Sequence, residues 1–178
     1  MQETNHQSVL LQEAVTGLSL SPGDTVLDAT VGLGGHALAL AHEVGSQGKV
    51  IGIDADRNAI LRAKACLENA PAQVTFIQGN FRNLKALLGM EGFHELDGAL
   101  FDLGWNSTQL SSGRGFSFSA DEPLLMTLDD APPEGSTTAR SIVNEWSEED
   151  LADIIRTLGE ERFALRIARA IVENRKKV

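Results

Sequence analysis

Four polar side chains each follow a short apolar run within residues 25–102. They belong to Asp28, Asp54, Asn80 and Asp102. Apolar runs that alternate with helical patterns predict a parallel sheet, in which the carboxyl ends of the strands share one edge and bind ligands there. We therefore expect these side chains to line a common crevice. Carboxylates in that crevice could accept hydrogen bonds from ribose hydroxyls or attract a cation.

A glycine-rich turn follows the first of these acids. Gly32, Gly34 and Gly35 lead directly into a predicted helix that begins with His36. Glycine allows the backbone to approach a ligand closely. The spacing Gly-x-Gly-x-x-Ala, with Asp54 placed 20 residues after Gly34, formally satisfies the dinucleotide fingerprint. A nicotinamide enzyme is therefore one interpretation of this turn.

S-adenosylmethionine is the second interpretation of the same turn. This ligand carries an ammonium and a sulfonium but no phosphate, so the Asp28 carboxylate suits it, whereas the same carboxylate would lie near a pyrophosphate. Asp54 would bind ribose hydroxyls with either ligand, and a tight turn without any ligand is a third alternative. His36 either points into the cofactor cleft or is a solvated surface group, and spacing alone leaves both open.

The elements that must position these residues alternate regularly along the first hundred residues. The patterns predict strands over 25–28, 49–53, 74–77 and 98–101, and helices over 36–44 and 57–69, the second of them capped by Asp56. A long loop interrupted by glycine and proline begins near residue 104. Two more helices are predicted, one from Ser147 to Leu158 and one over 160–176. The last helix is expected to bury Phe163, Ile167, Ala170 and Ile171.

These elements predict an α/β fold in two parts. A cofactor-binding core is expected over 1–110, and a substrate-side loop with helices over 111–178. The 178 residues carry a net charge of −10 and 42% hydrophobic residues, which argues against a disordered chain and against non-specific nucleic-acid binding. The absence of a signal-like start or an apolar span predicts a cytoplasmic protein with no membrane partner, and the spacing of the histidines and Cys66 predicts no metal site.

The chain resembles the ribosomal RNA small subunit methyltransferase H family. The resemblance covers essentially all of the sequence and is carried by short strings: Asp28-Ala29-Thr30, Gly34-Gly35-His36, Gly52-Ile53-Asp54, Asn80-Phe81, Asp102-Leu103-Gly104 and Arg114-Gly115-Phe116-Ser117-Phe118. It implies a class I S-adenosylmethionine-dependent methyltransferase, Rossmann-like with a mostly parallel sheet. The sheet is expected to be incomplete at its C-terminal side and to carry part of an inserted helical domain.

The resemblance also implies an activity. Members of the family use S-adenosylmethionine to methylate the exocyclic N4 of a cytidine in the decoding region of 16S ribosomal RNA, so the implied partner is that RNA or the 30S subunit. The cofactor contacts that it implies are Gly34, Gly35, His36, Asp54, Phe81, Asp102 and Gln109. The residues themselves add Asp28 and Gly32 to this set. Position alone allows Phe81 to be a core residue instead of an adenine contact.

The residues expected on the substrate side are predicted from their positions, and Trp105 and Asn106 lie in the stretch where this chain departs from the family pattern. Asp102, Trp105 and Asn106 are expected to hold the cytosine amine for transfer, with Trp105 either stacking on the base or half-buried in the core. The expected RNA contacts are Arg114, Arg162, Arg166 and Arg169. The basic residues near the end of the chain have an alternative interpretation as a solvated helix face with favourable charge.

Two departures from the family lie on the substrate side. The positions around Gln109 differ from the family pattern, and the string from Pro123 to Leu128 lacks an aspartate and an arginine that the family places there. Cofactor binding is therefore expected to survive better than target choice. The alternatives are a truncated, impaired relative that binds RNA or the ribosome, and a nicotinamide oxidoreductase. Whether the chain forms a homodimer stays open.

Overall fold

The computed structural model describes residues 10–104, 110, 113–129, 132 and 135–175. The chain divides into two units, Met1–Asn106 and Ser107–Val178. The first unit contains the sheet and the second contains a small group of helices. The functional division at residue 110 stays a prediction.

The first unit is built on a four-stranded parallel sheet in the order β3-β2-β1-β4. Its strands are β1 (Thr25–Asp28), β2 (Lys49–Asp54), β3 (Gln73–Gln78) and β4 (Gly98–Leu100). All three pairings are parallel, so each connection crosses over the sheet. The sequence prediction of these strands is confirmed to within one residue at each end, and the acids that follow β1, β2 and β4 lie at the carboxyl edge.

One helix precedes the sheet and three helices form its crossovers. The first is α1 (Leu11–Gly17), and the crossover helices are α2 (Gly35–Val44), α3 (Arg57–Cys66) and α4 (Leu84–Met90). Asp56 caps α3 as predicted, since its side chain accepts a hydrogen bond from the Asn58 N–H at 2.8 Å. The predicted extension of α3 to residue 69 is wrong. Pro71 disfavours helical geometry in the residue before it, and the chain turns at Leu67 instead.

Side chains of the strands alternate between two apolar layers, as expected for strands covered on both faces. Val26 and Val50 point into a layer formed with α1, α2 and α3, and both are fully buried. Leu27 and Ile51 point into the opposite layer, which includes Leu88 of α4. This packing fixes the sheet between helices and leaves the carboxyl edge as the place where polar side chains gather.

The second unit contains α5 (Ala139–Glu145), α6 (Glu148–Thr157) and α7 (Ala164–Asn174). Ser147 begins α6 as predicted, because its side chain accepts a hydrogen bond from the Asp150 N–H at 3.0 Å. The small core of this unit is formed by Leu151, Ala152 and Ala168.

The sequence prediction for α7 is wrong in its start and in part of its buried face. The helix begins at Ala164, because the chain turns through a left-handed residue, Glu160. Phe163 and Ile167 are 45% and 39% exposed, while Ala164 and Ala168 are buried. Of the other two residues expected to be buried, Ala170 is exposed, whereas Ile171 is partly buried and packs against the core of this unit. Small side chains allow two helices to approach closely, so Ala164 and Ala168 pack inward in place of Phe163 and Ile167.

None of the helices in the described part of the chain is both long and apolar enough to cross a membrane.

Candidate functional site

Asp28 ends β1 and is almost completely buried. One carboxylate oxygen accepts a hydrogen bond from the Thr30 N–H at 3.1 Å, and among the residues that the structure describes the other oxygen has no hydrogen-bond partner. Burial, together with the nearby carboxylates of Asp54 and Asp102, raises the pKa of Asp28 to about 7 against the opposing effect of the Thr30 hydrogen bond. A cation placed here would stabilise the ionised form.

Asp54 ends β2 and holds the glycine-rich turn in place. Its two carboxylate oxygens accept hydrogen bonds from the Gly32 N–H at 3.0 Å and the Asp56 N–H at 2.9 Å. Burial raises the pKa of Asp54, although these backbone donors partly offset the effect. Each oxygen has two lone pairs, so the carboxylate can still accept hydrogen bonds from ribose hydroxyls.

The glycine-rich turn requires glycine at Gly34, the residue before α2. Its φ is +90°, and a Cβ atom there would lie 2.7 Å from a methyl carbon of Leu67 in the turn after α3. The turn is also tied to β2, since the Val31 N–H donates to the Ile53 carbonyl at 2.9 Å. Backbone groups of Gly34 and Gly35 therefore lie in a fixed place at the beginning of α2, next to the strand-end acids.

His36 and Asp102 face each other across the site. His36 lies in the first turn of α2 and is 7% exposed, so the interpretation as a solvated surface group is wrong. Its Nδ1 is 3.8 Å from a carboxylate oxygen of Asp102, whose side chain is half-exposed. Within the described ranges, the His36 Nε2 atom is buried without a hydrogen-bond partner. The backbone of Asp102 is fixed by a hydrogen bond in which its N–H donates to the Thr30 Oγ1 at 2.8 Å.

Two aromatic rings meet at the same edge of the sheet. Phe81 and Phe101 contact edge to face, with ring centroids 5.8 Å apart and an interplanar angle of 87°. Phe81 is 36% exposed, so it is not a fully buried core residue. Asn80, the fourth polar residue of the predicted crevice, caps the turn that begins with Phe81 by accepting a hydrogen bond from the Arg82 N–H at 2.9 Å.

Sequence reasoning missed two residues of this site. Thr30 links Asp28 and Asp102 through hydrogen bonds to its backbone and side chain. Phe101 contacts Phe81 although the two are 20 residues apart in the sequence. The position of Thr30, between an acid at a strand end and the glycine-rich turn, is the sequence feature that could indicate its role. The sequence pattern indicates only that Phe101 is the last residue of a predicted strand. Its contact with Phe81 depends on the path of the crossover between β3 and β4.

The three carboxylates make the site suited to a positively charged ligand. Asp28, Asp54 and Asp102 lie close enough for the last two to raise the pKa of the first. A pyrophosphate would add negative charge to this cluster, whereas an ammonium or sulfonium would offset it. Two buried polar atoms with no partner in the described part of the chain, Asp28 Oδ2 and His36 Nε2, fit a ligand that supplies hydrogen bonds.

Several predicted site residues lie outside the described residues. They are Trp105, Asn106 and Gln109. Their roles stay predictions from the sequence.

Arg114, a predicted RNA contact, is buried in the loop of the second unit. It is 5% exposed, and its guanidinium donates a hydrogen bond to the Leu128 carbonyl at 2.6 Å. The Met126 N–H in turn donates to the Arg114 carbonyl at 2.7 Å. The side chain holds the loop together, so this structure argues against a direct contact between Arg114 and RNA.

The arginines in and next to α7 fall into separate groups. Arg162 and Arg166 are exposed and lie over the ring of Phe163, with guanidinium carbons 4.5 Å and 5.3 Å from its centroid. Arg169 forms an ion pair with Glu148 at 3.3 Å. Arg175 donates hydrogen bonds to two carbonyls at the end of α5. Of the predicted RNA contacts, Arg162 and Arg166 are therefore the two whose charge faces solvent without a carboxylate partner in the described residues.

Comparison with known proteins places this site in a family. Residues 3–178 match the MraW methylase family. A ribosomal RNA small subunit methyltransferase H from Brevibacillus brevis is 44% identical over 174 residues, which is 97% of this chain and 54% of that protein. Proteins of the same name from Koribacter versatilis and Desulfosudis oleivorans are 43% and 44% identical, over 98% and 96% of this chain.

The chain spans about half the length of the curated relatives that it matches. The match nevertheless includes the sheet, the glycine-rich turn and the helices of the second unit. The parallel sheet with crossover helices is the Rossmann-like fold of class I S-adenosylmethionine-dependent methyltransferases, as the sequence predicted. The chain belongs to the MraW methylase family.

Proposed function

We propose that this chain binds S-adenosylmethionine at the carboxyl edge of its sheet and methylates the exocyclic N4 of a cytidine in the decoding region of 16S ribosomal RNA. The observation that carries the proposal is the cluster of the carboxylates of Asp28, Asp54 and Asp102, in which Asp28 Oδ2 and the neighbouring His36 Nε2 are buried and lack hydrogen-bond partners in the described part of the chain. Family membership and the names of the relatives support methyl transfer to small-subunit RNA.

Each side chain of the cluster has a proposed role. Asp54 accepts hydrogen bonds from ribose hydroxyls, and Asp28 faces the ammonium of the methionine part. Gly32, Gly34 and Gly35 allow the backbone to approach this ligand closely. His36 supplies a polar contact through its buried Nε2 atom, and Gln109 adds a further contact predicted from the family resemblance.

Positioning accounts for the proposed catalysis. When bound, S-adenosylmethionine would supply a methyl group on a sulfonium. The N4 nitrogen forms a bond to this carbon as the carbon–sulfur bond breaks, S-adenosylhomocysteine leaves, and the methylated amine gives up one proton to water. The cytosine amine is a poor nucleophile because its lone pair is delocalised into the ring, so the protein must orient that lone pair. We assign this orientation to Asp102 and Asn106. Asp102 is well suited because Thr30 fixes its backbone while its side chain remains half-exposed.

The target base has to leave its stack to reach this site. Trp105 follows Asp102 closely in the sequence, and we propose that its indole stacks on the extruded cytosine. A Trp105→Ala variant should then lose affinity for the RNA and keep its affinity for S-adenosylhomocysteine. Equal loss of both affinities would indicate a tryptophan that supports the fold instead.

Methyl transfer can be tested directly. We would incubate the chain with methyl-labelled S-adenosylmethionine and 30S subunits that lack the modification, then digest the RNA and identify labelled nucleosides by mass spectrometry. The proposal predicts N4-methylcytidine, and Asp102→Ala should reduce the label strongly. Label on another atom, or unchanged transfer by Asp102→Ala, would contradict the proposed chemistry.

A binding module without catalysis is the second candidate function. It is favoured by the altered residues around Gln109. It predicts binding to 30S subunits that is the same with and without S-adenosylhomocysteine, and detection of methyl transfer would exclude it. The sequence also left a nicotinamide oxidoreductase open, and the carboxylate cluster disfavours the pyrophosphate that this function requires.

A further inference from the structure

The aromatic pair of Phe81 and Phe101 is not a contact between neighbouring strands. Phe81 follows β3 and Phe101 follows β4, and the sheet order places β2 and β1 between them. Adjacent strands lie about 4.8 Å apart, so the two parent strands are separated by roughly 14 Å. Their ring centroids are nevertheless 5.8 Å apart. The pair therefore reaches across the carboxyl ends of the two strands that carry Asp28 and Asp54.

The backbone on both sides of Phe101 is anchored. The residue before it, Leu100, accepts a hydrogen bond from the Ala29 N–H at 2.9 Å. The residue after it, Asp102, donates its N–H to the Thr30 Oγ1 at 2.8 Å. Both partners belong to the segment that connects β1 with the glycine-rich turn. The position of the Phe101 ring is thus set by the same segment that holds the acids of the site.

The backbone that leads to Phe81 is anchored in the same manner. The Gly79 N–H donates to the Asp54 carbonyl at 2.9 Å, which ties the end of β3 to the ribose-binding position of the site. The Asn80 side chain then accepts from the Arg82 N–H at 2.9 Å and closes the turn on which the ring is carried. Two rings on fixed backbones form an ordered apolar surface before any ligand arrives.

This surface remains partly open to solvent. Phe81 is 36% exposed and Phe101 is 44% exposed, although an edge-to-face pair gains most when its rings are covered. The part of S-adenosylmethionine that is planar and able to cover an aromatic ring is its purine. The carboxylates described above suit the ribose and the methionine part of the cofactor. The ring pair supplies the apolar surface that the purine requires.

We infer that Phe101 is a positioning residue that fixes the Phe81 ring as the wall against which the purine of the cofactor stacks. The inference rests on the proposed binding of S-adenosylmethionine and adds a residue to which no role had been given. Phe101 acts through Phe81, so its replacement should matter only while the Phe81 ring is present.

Titration calorimetry with S-adenosylhomocysteine tests this coupling on the full 178-residue chain. The variants are Phe101→Leu, which keeps an apolar side chain but removes the ring, Phe101→Tyr, which keeps the ring, Phe81→Leu, and the double variant Phe81→Leu/Phe101→Leu. Phe118→Leu is the matched control, because Phe118 is fully exposed in the second unit. The melting temperature of each unliganded variant is measured alongside.

The inference predicts that Phe101→Leu weakens binding by about two- to tenfold, the value of one aromatic pair, while Phe101→Tyr and Phe118→Leu bind like the wild type. The double variant should bind like Phe81→Leu alone. A lower melting temperature in Phe101→Leu alone would not support the inference. The tyrosine variant and the double variant distinguish loss of the ring contact from loss of folding stability.

Two results would overturn the inference while leaving the proposed function intact. They are wild-type affinity in Phe101→Leu, and losses that add independently in the double variant. A folded wild-type chain that binds no S-adenosylhomocysteine would contradict the proposed function itself, and the inference would fall with it.

Discussion

Asp28 is the residue whose chemistry depends most on burial. Its pKa is raised from 3.8 to about 7 because the folded chain removes its carboxylate from water. The folded state therefore holds the proton more tightly than the unfolded state. By proton linkage, the contribution of Asp28 to the free energy of unfolding is greatest at low pH, where its carboxyl is protonated in both states. This contribution falls as pH rises from about 4 to about 7.

Replacing Asp28 by Asn should remove this part of the pH dependence. The shift corresponds to on the order of 4 kcal/mol as an upper value, so the free energy of unfolding of Asp28→Asn relative to wild type should rise by up to that amount between pH 4 and pH 8. Urea denaturation at several pH values measures it. The exposed Glu95→Gln serves as control and should follow the wild type. Parallel pH profiles for wild type and Asp28→Asn would contradict the burial argument.

At the residue scale, the sequence was most informative where side chains follow strands. An acid after an apolar run identifies both the end of a parallel strand and its place at the sheet edge, so Asp28, Asp54 and Asp102 could be predicted together. Contacts between side chains far apart in the sequence could not. The pairing of Phe101 with Phe81 depends on the path of the crossover through α4, which no local pattern specifies.

At the element scale, the turn between β1 and α2 depends on one glycine. Gly34 has a φ of +90°, and a Cβ atom at this position would overlap Leu67 at 2.7 Å. Gly23 has a similar φ of +99°, but nothing lies within 4 Å of the corresponding Cβ position. The two glycines therefore differ in packing and share the same kind of backbone strain.

This difference gives a matched pair of substitutions. Gly23→Ala should cost about 1 kcal/mol of stability from backbone strain, and Gly34→Ala should cost about 1 kcal/mol more, because the Leu67 side chain must move and the new Cβ would lie 3.3 Å from the Ala63 Cα of α3. Chemical denaturation of both variants measures the difference. Equal destabilisation by the two substitutions would show that packing against Leu67 does not constrain the turn.

Elements with local signals were predicted well and those chosen by packing were not. Caps at Asp56 and Ser147 identified the beginnings of α3 and α6. The prediction for α7 is correct for Ile171 but wrong for Phe163 and Ile167, which are more hydrophobic than the alanines that are in fact buried. Close approach of α6 to α7 selects small side chains, and this selection is invisible in hydrophobicity alone.

At the scale of the whole molecule, the net charge of −10 requires any contact with RNA to be local. We propose that Arg162 and Arg166, whose guanidinium groups lie over the Phe163 ring, form such a local contact. Changing both to Gln should weaken binding to a 16S RNA fragment and reduce the slope of log affinity against log salt by roughly 1.5. Filter binding at several salt concentrations measures the slope. An Arg57→Gln/Arg62→Gln variant, which removes two exposed arginines of α3, should leave it unchanged, and an identical loss in both variants would indicate a non-specific effect.

Every role proposed for the carboxyl edge of the sheet depends on binding of S-adenosylmethionine, and calorimetric titration of the purified chain measures this binding. Nicotinamide adenine dinucleotide, titrated in parallel, represents the competing interpretation of the glycine-rich turn. We expect saturable binding of S-adenosylmethionine at one site and weaker binding by Asp54→Asn. We expect no binding of the dinucleotide. A chain shown to be folded that binds the dinucleotide, or that binds no S-adenosylmethionine, would contradict the account.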